Sequence, residues 1–549
     1  MNLDNIRELL ESRAAQLADK EFIFSESDGS FLTYAEFDAY VNRAADLLVR
    51  LGAKKGDRVS LYLTNSVEYL AFYFACFKTG AWAGPINAHL KSHEIEFIID
   101  YSGSTIAITQ ADLYPTLADA RKNLPSLRHV VLVEYQKSGR EKERVGYEEH
   151  RRPETEGLKI REQDIIGDEA STTASSLHLF TSSSALPLSH STALSFSSPP
   201  VASDEEAVII YTSGTTGKPK GVLLTHRNLL SNAEQIARWL HLTEDDRALM
   251  IMPLFHVNAL MTTCMAALWA GASLVLAPRF SASRHWQIVS DYGVTYFGSV
   301  ATMLALLSQT YPDGIPADLD TGKLRFALCG SAPVPVEVMK RFESLFNCPV
   351  IEGYGLSEST CRSTFNPPDH RRRAGSVGLP IGNEMKIFDD SEGELSAGEI
   401  GEIVLRGSNI MKGYYRNEEA TEKAMRSGWF HTGDLGYKDE DGFFYVVDRK
   451  SDMIIRGGEN IYPREIDEAL YQHPKIKDAA TVGIPDPLYG EEVRSFVVLK
   501  AGERATEQEI IDFCRQRMAD YKCPKSVEFL DDIPKGPTGK LLKRELTGS

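Results

Sequence analysis

This chain predicts an α/β fold, with a large N-terminal domain of layered α/β subdomains, a β-rich subdomain after it, and a small α+β C-terminal domain. Three observations predict it. Between residue 30 and about residue 135, apolar strand-like runs alternate with amphipathic stretches, and the same rhythm returns from Asn228 to about Val350; such alternation builds parallel sheets covered by helices, here in two similar halves. After Met385 the texture changes to short strands separated by glycines and acidic turns. The last hundred or so residues mix short strands with short helices, the pattern of a compact α+β unit. At 549 residues the chain exceeds one ordinary core, so more than one domain is expected. The boundary falls near residues 449–451, dividing the chain into 1–449 and 450–549.

The elements follow in order. "MNLDNIRELLESRAAQLADK" reads as an acidic amphipathic helix without a signal-peptide core, and the final "LTGS" carries no peroxisomal tripeptide. "YAEFDAYVNRAADLLVRLG", "SVEYLAFYFACFKTG" and "HEIEFIIDYSG" have helical spacing, while "RVSLYL", "AWAGPIN" and "TIAITQ" read as the strands between them. Residues 171–203 form a serine-rich, nearly uncharged tract that reads as a mobile linker or surface insertion. Residues 259–277, "ALMTTCMAALWAGASLVLA", carry no charge and nearly reach membrane-spanning length. Gly271 divides them into a helix of about twelve residues and a strand, a buried helix-strand unit. Further on, "MKIFD", "GEIVLRG" and "GFFYVVDR" are strands of the β-rich subdomain. "REIDEALYQHP", "DAATVGIP", "EVRSFVVLK" and "EQEIIDFCRQRM" supply the C-terminal domain. In the closing "IPKGPTGKLLKREL", Lys540 follows a Pro/Gly turn and precedes a short basic helix.

A net charge of -17 disfavours nucleic acid and acidic membranes as partners. An anionic ligand would therefore be captured by locally placed donors and a metal ion. The seven cysteines show no CxxC or zinc spacing, which predicts reduced, buried thiols in a cytoplasmic protein.

The stretch "YTSGTTGKPKG", 211–221, has the residue types of an anion-binding loop. It is not a P-loop: counting back from Gly217 and Lys218, Thr212 stands where the first glycine belongs, and Pro219 takes the place of the metal-binding hydroxyl. Flanked by "AVII" and "VLLT", it reads as a hairpin loop between strands. Gly214 and Gly217 let the backbone approach an oxyanion, and Thr212, Ser213, Thr215, Thr216 and Lys218 supply donors. Alone, such a loop is as readily a solvated turn.

Four more motifs appear in order: "EGYGLSE", "GWFHTGDLG", "DRKSDMIIRGGENIYP" and "PTGK". Together with the loop, the chain resembles the adenylate-forming acyl-CoA synthetase superfamily almost from end to end, with the serine tract as the main departure. It looks most like the carnitine/crotonobetaine-CoA ligase and the medium-chain or aryl-CoA ligase branches. The resemblance implies ATP, Mg²⁺ and coenzyme A, and two half-reactions: an acid is joined to AMP with release of pyrophosphate, then a thiol displaces AMP. It implies that the 211–221 loop cradles the β- and γ-phosphates. It puts Tyr354 against adenine, Ser357 at the phosphate, where the family usually has threonine, and Glu358 on Mg²⁺. Glu352, Gly353 and Gly355 of the same motif join the nucleotide-binding positions, as do Gly330, Ser331 and Ala332 of "CGSAP", where small residues let the ring approach the backbone. Asp434 would grip the ribose hydroxyls, with Arg449 beside it just before a hinge near Ser451. Lys540 would bridge the acid's carboxylate and the α-phosphate. Rotation of a mobile C-terminal domain would then withdraw it and bring Gly457 and Gly458 to a pantetheine tunnel, with Lys522 near the CoA nucleotide. Bland readings stand beside these: a turn aspartate at 434, a solvated "DRK" cluster at 449, a helix-start carboxylate at 358 and a solvated lysine at 540.

By the same resemblance the acyl pocket includes His256, Val257 and Asn258, residues 298–300 of "YFGSV", and Ser359, with His256 gating the carboxylate unless it is a satisfied core histidine. Asn258 points to a short, polar or aromatic acid without naming it, because one methylene shifts discrimination by only about 1–3 kcal/mol. Two alternatives stay open: an enzyme that loads a carrier-protein pantetheine, and a non-catalytic acyl-adenylate binder. A luciferase-like oxidase is a minor third, and a homo-oligomer is left open.

Overall fold

The computed structural model describes residues 3–133, 165–166, 199–212, 219–332, 334–535 and 542–547. The centre of the 211–221 loop (Ser213, Gly214, Thr215, Thr216, Gly217 and Lys218), most of the serine tract, and Lys540 lie outside them.

Two predominantly parallel sheets form the body. In the first, Arg58–Tyr62 lies between Trp82–Pro85 and Ile106–Gln110, all parallel, and Trp82–Pro85 continues to Glu206–Thr212. Glu206–Thr212 turns back antiparallel into Lys220–Thr225 with Thr212 opposite Lys220, the hairpin expected around the glycine-rich loop. The second sheet runs Val350–Glu352, Phe326–Cys329, Tyr296–Ser299, Arg247–Met250, Ser273–Leu276, Glu21–Ser25 and Phe31–Thr33. Its last two strands depart from a simple reading in consecutive halves. The N-terminal hairpin joins the second sheet, with Ile23 parallel to Leu274, because "EFIFS" carries an apolar run that only a sheet edge and its covering helices can bury.

Local signals set the helices between these sheets. Thr33 and Glu36 form a reciprocal capping box that starts Tyr34–Arg50. Ser66 caps Val67–Thr79, and Gly80 ends it at φ 71°. From Tyr69 to Thr79 every residue of that helix is buried, as an all-round apolar helix must be. Its one cation, Lys78, is paired with Asp38 at 2.7 Å and Glu11 at 3.2 Å. The 259–277 segment resolves into a π-helix, Ala259–Met265, then Ala266–Ala270, a Gly271 cap at φ 74°, and the strand Ser273–Leu276. Among the described residues no helix is long and apolar enough to cross a membrane. All seven cysteines are free and buried.

The β-rich subdomain is an antiparallel sheet of Glu384–Phe388, Gly401–Arg406, Trp429–Lys438, Met425–Arg426 and Phe444–Arg449. Asn228, in the first turn of the helix after Lys220–Thr225, ties it to the body by donating to the carbonyls of Ser408 and Ile410 at 2.8 Å each. The small C-terminal domain pairs Ile476–Asp486 with Gly490–Leu499 and packs Pro463–Tyr471 and Glu507–Arg515 over its own apolar core. Asp448, at the end of the β-rich sheet, accepts the Arg464 backbone N–H at 2.9 Å. It thereby caps the first C-terminal helix, whose own N-cap residue, Tyr462, makes no side-chain cap.

Candidate active site

The strands Phe326–Cys329 and Val350–Glu352 run parallel with Cys329 opposite Glu352, so Gly330 and Gly353 leave the sheet side by side. The carboxyl ends of parallel strands are where open α/β sheets bind ligands. The chain beyond Gly353 is bent back on itself: the Tyr354 carbonyl accepts from Ser363 at 2.8 Å and Thr364 at 3.1 Å. A Cβ on Gly355 would lie 2.0 Å from the Cys361 carbonyl oxygen, so only glycine fits the crossing. Two non-glycine residues here hold left-handed φ values, Ser331 at 71° and the β-branched Thr360 at 67°. Backbone of that kind persists where the surroundings over-determine it, and it clusters at functional sites.

Three distant segments meet at Asp434, which is 5% exposed. Its strand register sets it opposite Arg449, and the Arg449 Nε lies 3.3 Å from Asp434 Oδ1. The Tyr354 hydroxyl donates to Oδ2 at 2.6 Å. Burial, reinforced by the Asp434 charge, pushes the Tyr354 phenol far above its ordinary pKa, so it stays protonated and donates. Arg449 is thus part of a network, whereas the neighbouring Lys450 pairs outward with Asp390 at 2.7 Å.

Glu358 follows in the short 3₁₀ turn Ser357–Ser359. Its Oε1 accepts the Tyr414 hydroxyl at 2.9 Å. Tyr414 lies in Gly413–Tyr414, which pairs with Lys220–Thr225, the strand leaving the glycine-rich hairpin. Lys220 itself lies 4.9 Å from the centre of the Tyr414 ring. Glu358 therefore sits beside the strand that carries the loop, and among the described residues no cation lies within 4 Å of it.

The floor of the site is polar and buried. Asn258 donates to Ser331 Oγ at 3.1 Å and accepts from Arg362 Nη2 at 3.3 Å. Thr262 Oγ1 reaches Asn258 Oδ1 at 3.0 Å, and Gly298 packs against Thr262 and Thr263. The small size of Gly330 has a reason within the protein as well. A Cβ there would meet Arg362 Nη1 at 2.4 Å and the Gly353 carbonyl oxygen at 2.6 Å. His256 is not a satisfied core histidine: its buried Nε2 has no hydrogen-bond partner. Burial pulls its pKa down to about 4, so it is neutral near pH 7. Glu352 is 2% exposed, and burial pushes its carboxyl up to about 7. Cys329 and Cys361 are no nucleophiles, since burial raises their thiols to about 12 and about 11.

The structure thus brings Gly330, Ser331, Gly353, Tyr354, Glu358, Asp434 and Arg449 to one place, with Asn258 beneath. It leaves others apart. Gly457 and Gly458 form the exposed turn between Ile454–Arg456 and Glu459–Ile461, held by a bond from the Gly457 N–H to the Tyr489 carbonyl. The Lys522 ammonium pairs with Glu465 at 2.7 Å. Arg362, Tyr414 and Thr262 are site residues that sequence reasoning passed over. Only Arg362 left a signal, as the sole charge between Glu358 and Asp369. A surface cleft of about 580 Å³ beside Ser231, Arg238 and Trp239 contains none of the site residues.

Comparison with known proteins shows the family. Residues 10–415 match the AMP-binding enzyme family and residues 465–540 its C-terminal domain; the chain belongs to that family, which places it among ATP-dependent acid-thiol ligases. It is 34% identical to a sulfoacetate–CoA ligase of Cupriavidus necator over 99% of this chain and 97% of that one. It is 33% identical to a crotonobetaine/carnitine–CoA ligase of Salmonella typhi, over 99% and 98%. The structure of o-succinylbenzoate CoA synthetase from Bacillus subtilis with its acyl-adenylate intermediate superposes with a TM-score of 0.78 at 30% identity, over 100% and 98% of the two chains.

Proposed function

We propose that the chain joins a carboxylic acid to AMP and hands the acyl group to coenzyme A, with the residues around Asp434 holding the nucleotide. The observation that carries this reading is the buried Tyr354–Asp434–Arg449 network at the carboxyl ends of parallel strands. A carboxylate with two acceptor oxygens suits the paired hydroxyls of a ribose, and Tyr354 and Arg449 fix its orientation. The phenol, held protonated, presents its ring to adenine. Ser331 and Ala332 border the same space from the neighbouring strand end, and Ser357 offers a hydroxyl to the phosphate.

The chemistry needs charge stabilisation and positioning rather than a protein nucleophile. Lys540 supplies the mobile charge between carboxylate and α-phosphate, and Thr212 to Lys218 hold the departing pyrophosphate. Neutral His256 borders the acid's entry. Glu358 fits a magnesium ion: its carboxylate is half-buried, oriented by Tyr414 and free of a cation within 4 Å among the described residues. Those residues hold no cluster of three or more metal-ligating side chains, which suits an ion bound by one carboxylate and the substrate's own phosphates. Bound there, it would neutralise phosphate charge.

For the second half-reaction the domain beyond residues 449–451 turns about that segment and carries the Gly457–Gly458 turn to the thiol's path. Lys522 would exchange Glu465 for a CoA phosphate. The acceptor is coenzyme A rather than a carrier protein, as the names of the relatives indicate. Free, buried thiols suit a reducing cytoplasm. Pyrophosphate release across a panel of acids, with and without CoA, tests the reading. Release that requires an acid and Mg·ATP, followed by thioester formation only with CoA, is expected. Acid-independent hydrolysis would overturn it.

A further inference from the structure

Arg362 is 2% exposed, and a guanidinium does not discharge by losing its proton. Its hydrogen bonds run to neutral acceptors, the Gly353 carbonyl at 3.2 Å and Asn258 Oδ1 at 3.3 Å. Its Nε is buried without a partner. Phe365 covers it, 5.3 Å from guanidinium carbon to ring centre. Among the described residues no carboxylate comes within 4 Å of it, whereas Lys78, the other buried cation there, is paired with Asp38 and Glu11. Glu352 senses the guanidinium from beyond ion-pair distance, but burial holds its carboxyl at about 7, so the counter-charge it offers near neutral pH is partial; leaving a buried cation so poorly paired is costly, and a fold bears that cost where a ligand supplies the counter-charge.

Its place in the fold says which ligand. The guanidinium presses on Gly330 and Gly353 at the ends of adjacent parallel strands and touches Asn258, the residue before the π-helix Ala259–Met265. π-helical turns concentrate at functional sites. Asn258 in turn donates to Ser331 of the nucleotide-side loop at 3.1 Å, so two hydrogen bonds separate Arg362 from the loop that borders the nucleotide.

We propose that the acid this enzyme activates carries a second anionic group, a carboxylate or a sulfonate, and that Arg362 with Asn258 binds it while the first carboxylate is adenylated. This rests on the adenylation reading above. The planar guanidinium favours an oxyanion with two oxygens, and Asn258, which Thr262 also reaches, adds hydrogen-bonding groups beside it. Arg362 is a specificity residue; the reacting atoms lie at the other end of the acid.

The test compares shape-matched pairs: malonate against 3-methylbutanoate, succinate against 4-methylpentanoate, and sulfoacetate against 3,3-dimethylbutanoate, with pyrophosphate release as the readout. The dianion of at least one pair is expected to exceed its partner at least 100-fold in kcat/KM, and the pair that does so identifies carboxylate or sulfonate. In Arg362→Met that ratio is expected to collapse to within tenfold of unity, and Arg362→Lys is expected to recover part of it. A guanidinium that merely props Gly353 would lower both members equally and leave the ratio unchanged, which would overturn the proposal. Preference for the monoanions in the wild-type enzyme would overturn it too, while leaving adenylation intact. Absence of pyrophosphate with every acid would sink the adenylation reading itself.

Discussion

Asp434→Asn keeps the side-chain volume but turns one of two acceptor oxygens into a donor. In the wild-type protein those oxygens serve Tyr354 at 2.6 Å and Arg449 at 3.3 Å, and the proposed ribose hydroxyls are donors as well. The amide nitrogen therefore faces donors with a donor. Hydrogen bonds to charged groups contribute roughly 1.5–3 kcal/mol each, so losing one to the ribose corresponds to about a 10- to 150-fold rise in the Kd for ATP. The assay is isothermal titration with ATP and with 2′-deoxy-ATP, on both proteins. Wild type is expected to discriminate against the deoxynucleotide, and the variant to bind the two nucleotides with nearly equal affinity, because the oxygen that sensed the hydroxyl has gone. If the variant discriminates as strongly as wild type, Asp434 does not hold the ribose and the assignment is refuted.

Three further predictions concern other parts of the site. Burial raises the Glu352 carboxyl from its ordinary 4.5 to about 7; the fold prefers the protonated acid, so its contribution to stability is full below about pH 4.5 and is lost as pH rises through 7. Glu352→Gln should then gain on the order of 3 kcal/mol over wild type at pH 8 and nothing at pH 4, by urea denaturation; an equal difference at both pH values contradicts this. Gly330→Ala drives a methyl to 2.4 Å from Arg362 Nη1 and 2.6 Å from the Gly353 carbonyl, an overpacking expected to cost about 1–3 kcal/mol, and wild-type stability would show that the contact yields freely. Lys540→Ala should abolish most pyrophosphate release while supplied acyl-adenylate still yields thioester with CoA. Equal loss of both half-reactions would show that the lysine does not belong to the first step alone.

The layered body was legible because burial writes its period into the sequence: "RVSLYL" and "TIAITQ" are parallel strands, and Gly271 ends the apolar helix at the φ expected of a cap. The hairpin around the glycine-rich loop was legible from the two apolar runs and the turn residues between them. The N-terminal hairpin was not, since nothing in "EFIFS" says that its partner is Ser273–Leu276, some 250 positions away. Nor does spacing distinguish the π-helical turn after Asn258 from an ordinary one. In the site, motif residues such as Tyr354 and Asp434 announced themselves, but their hydrogen bond joins positions 80 apart and exists only once the β-rich sheet has docked. Gly330 was legible as a position that must be small, but not the guanidinium that crowds it, which belongs to Arg362, a residue outside any motif.

Adenylation by this enzyme requires the acid's own oxygen to attack the α-phosphorus. An acid labelled with ¹⁸O in its carboxylate, incubated with the enzyme, Mg·ATP and CoA, settles it by mass spectrometry of the nucleotide and phosphate products. One ¹⁸O atom in AMP and none in pyrophosphate is the predicted result; label in inorganic phosphate, or unlabelled AMP alongside thioester, would contradict it.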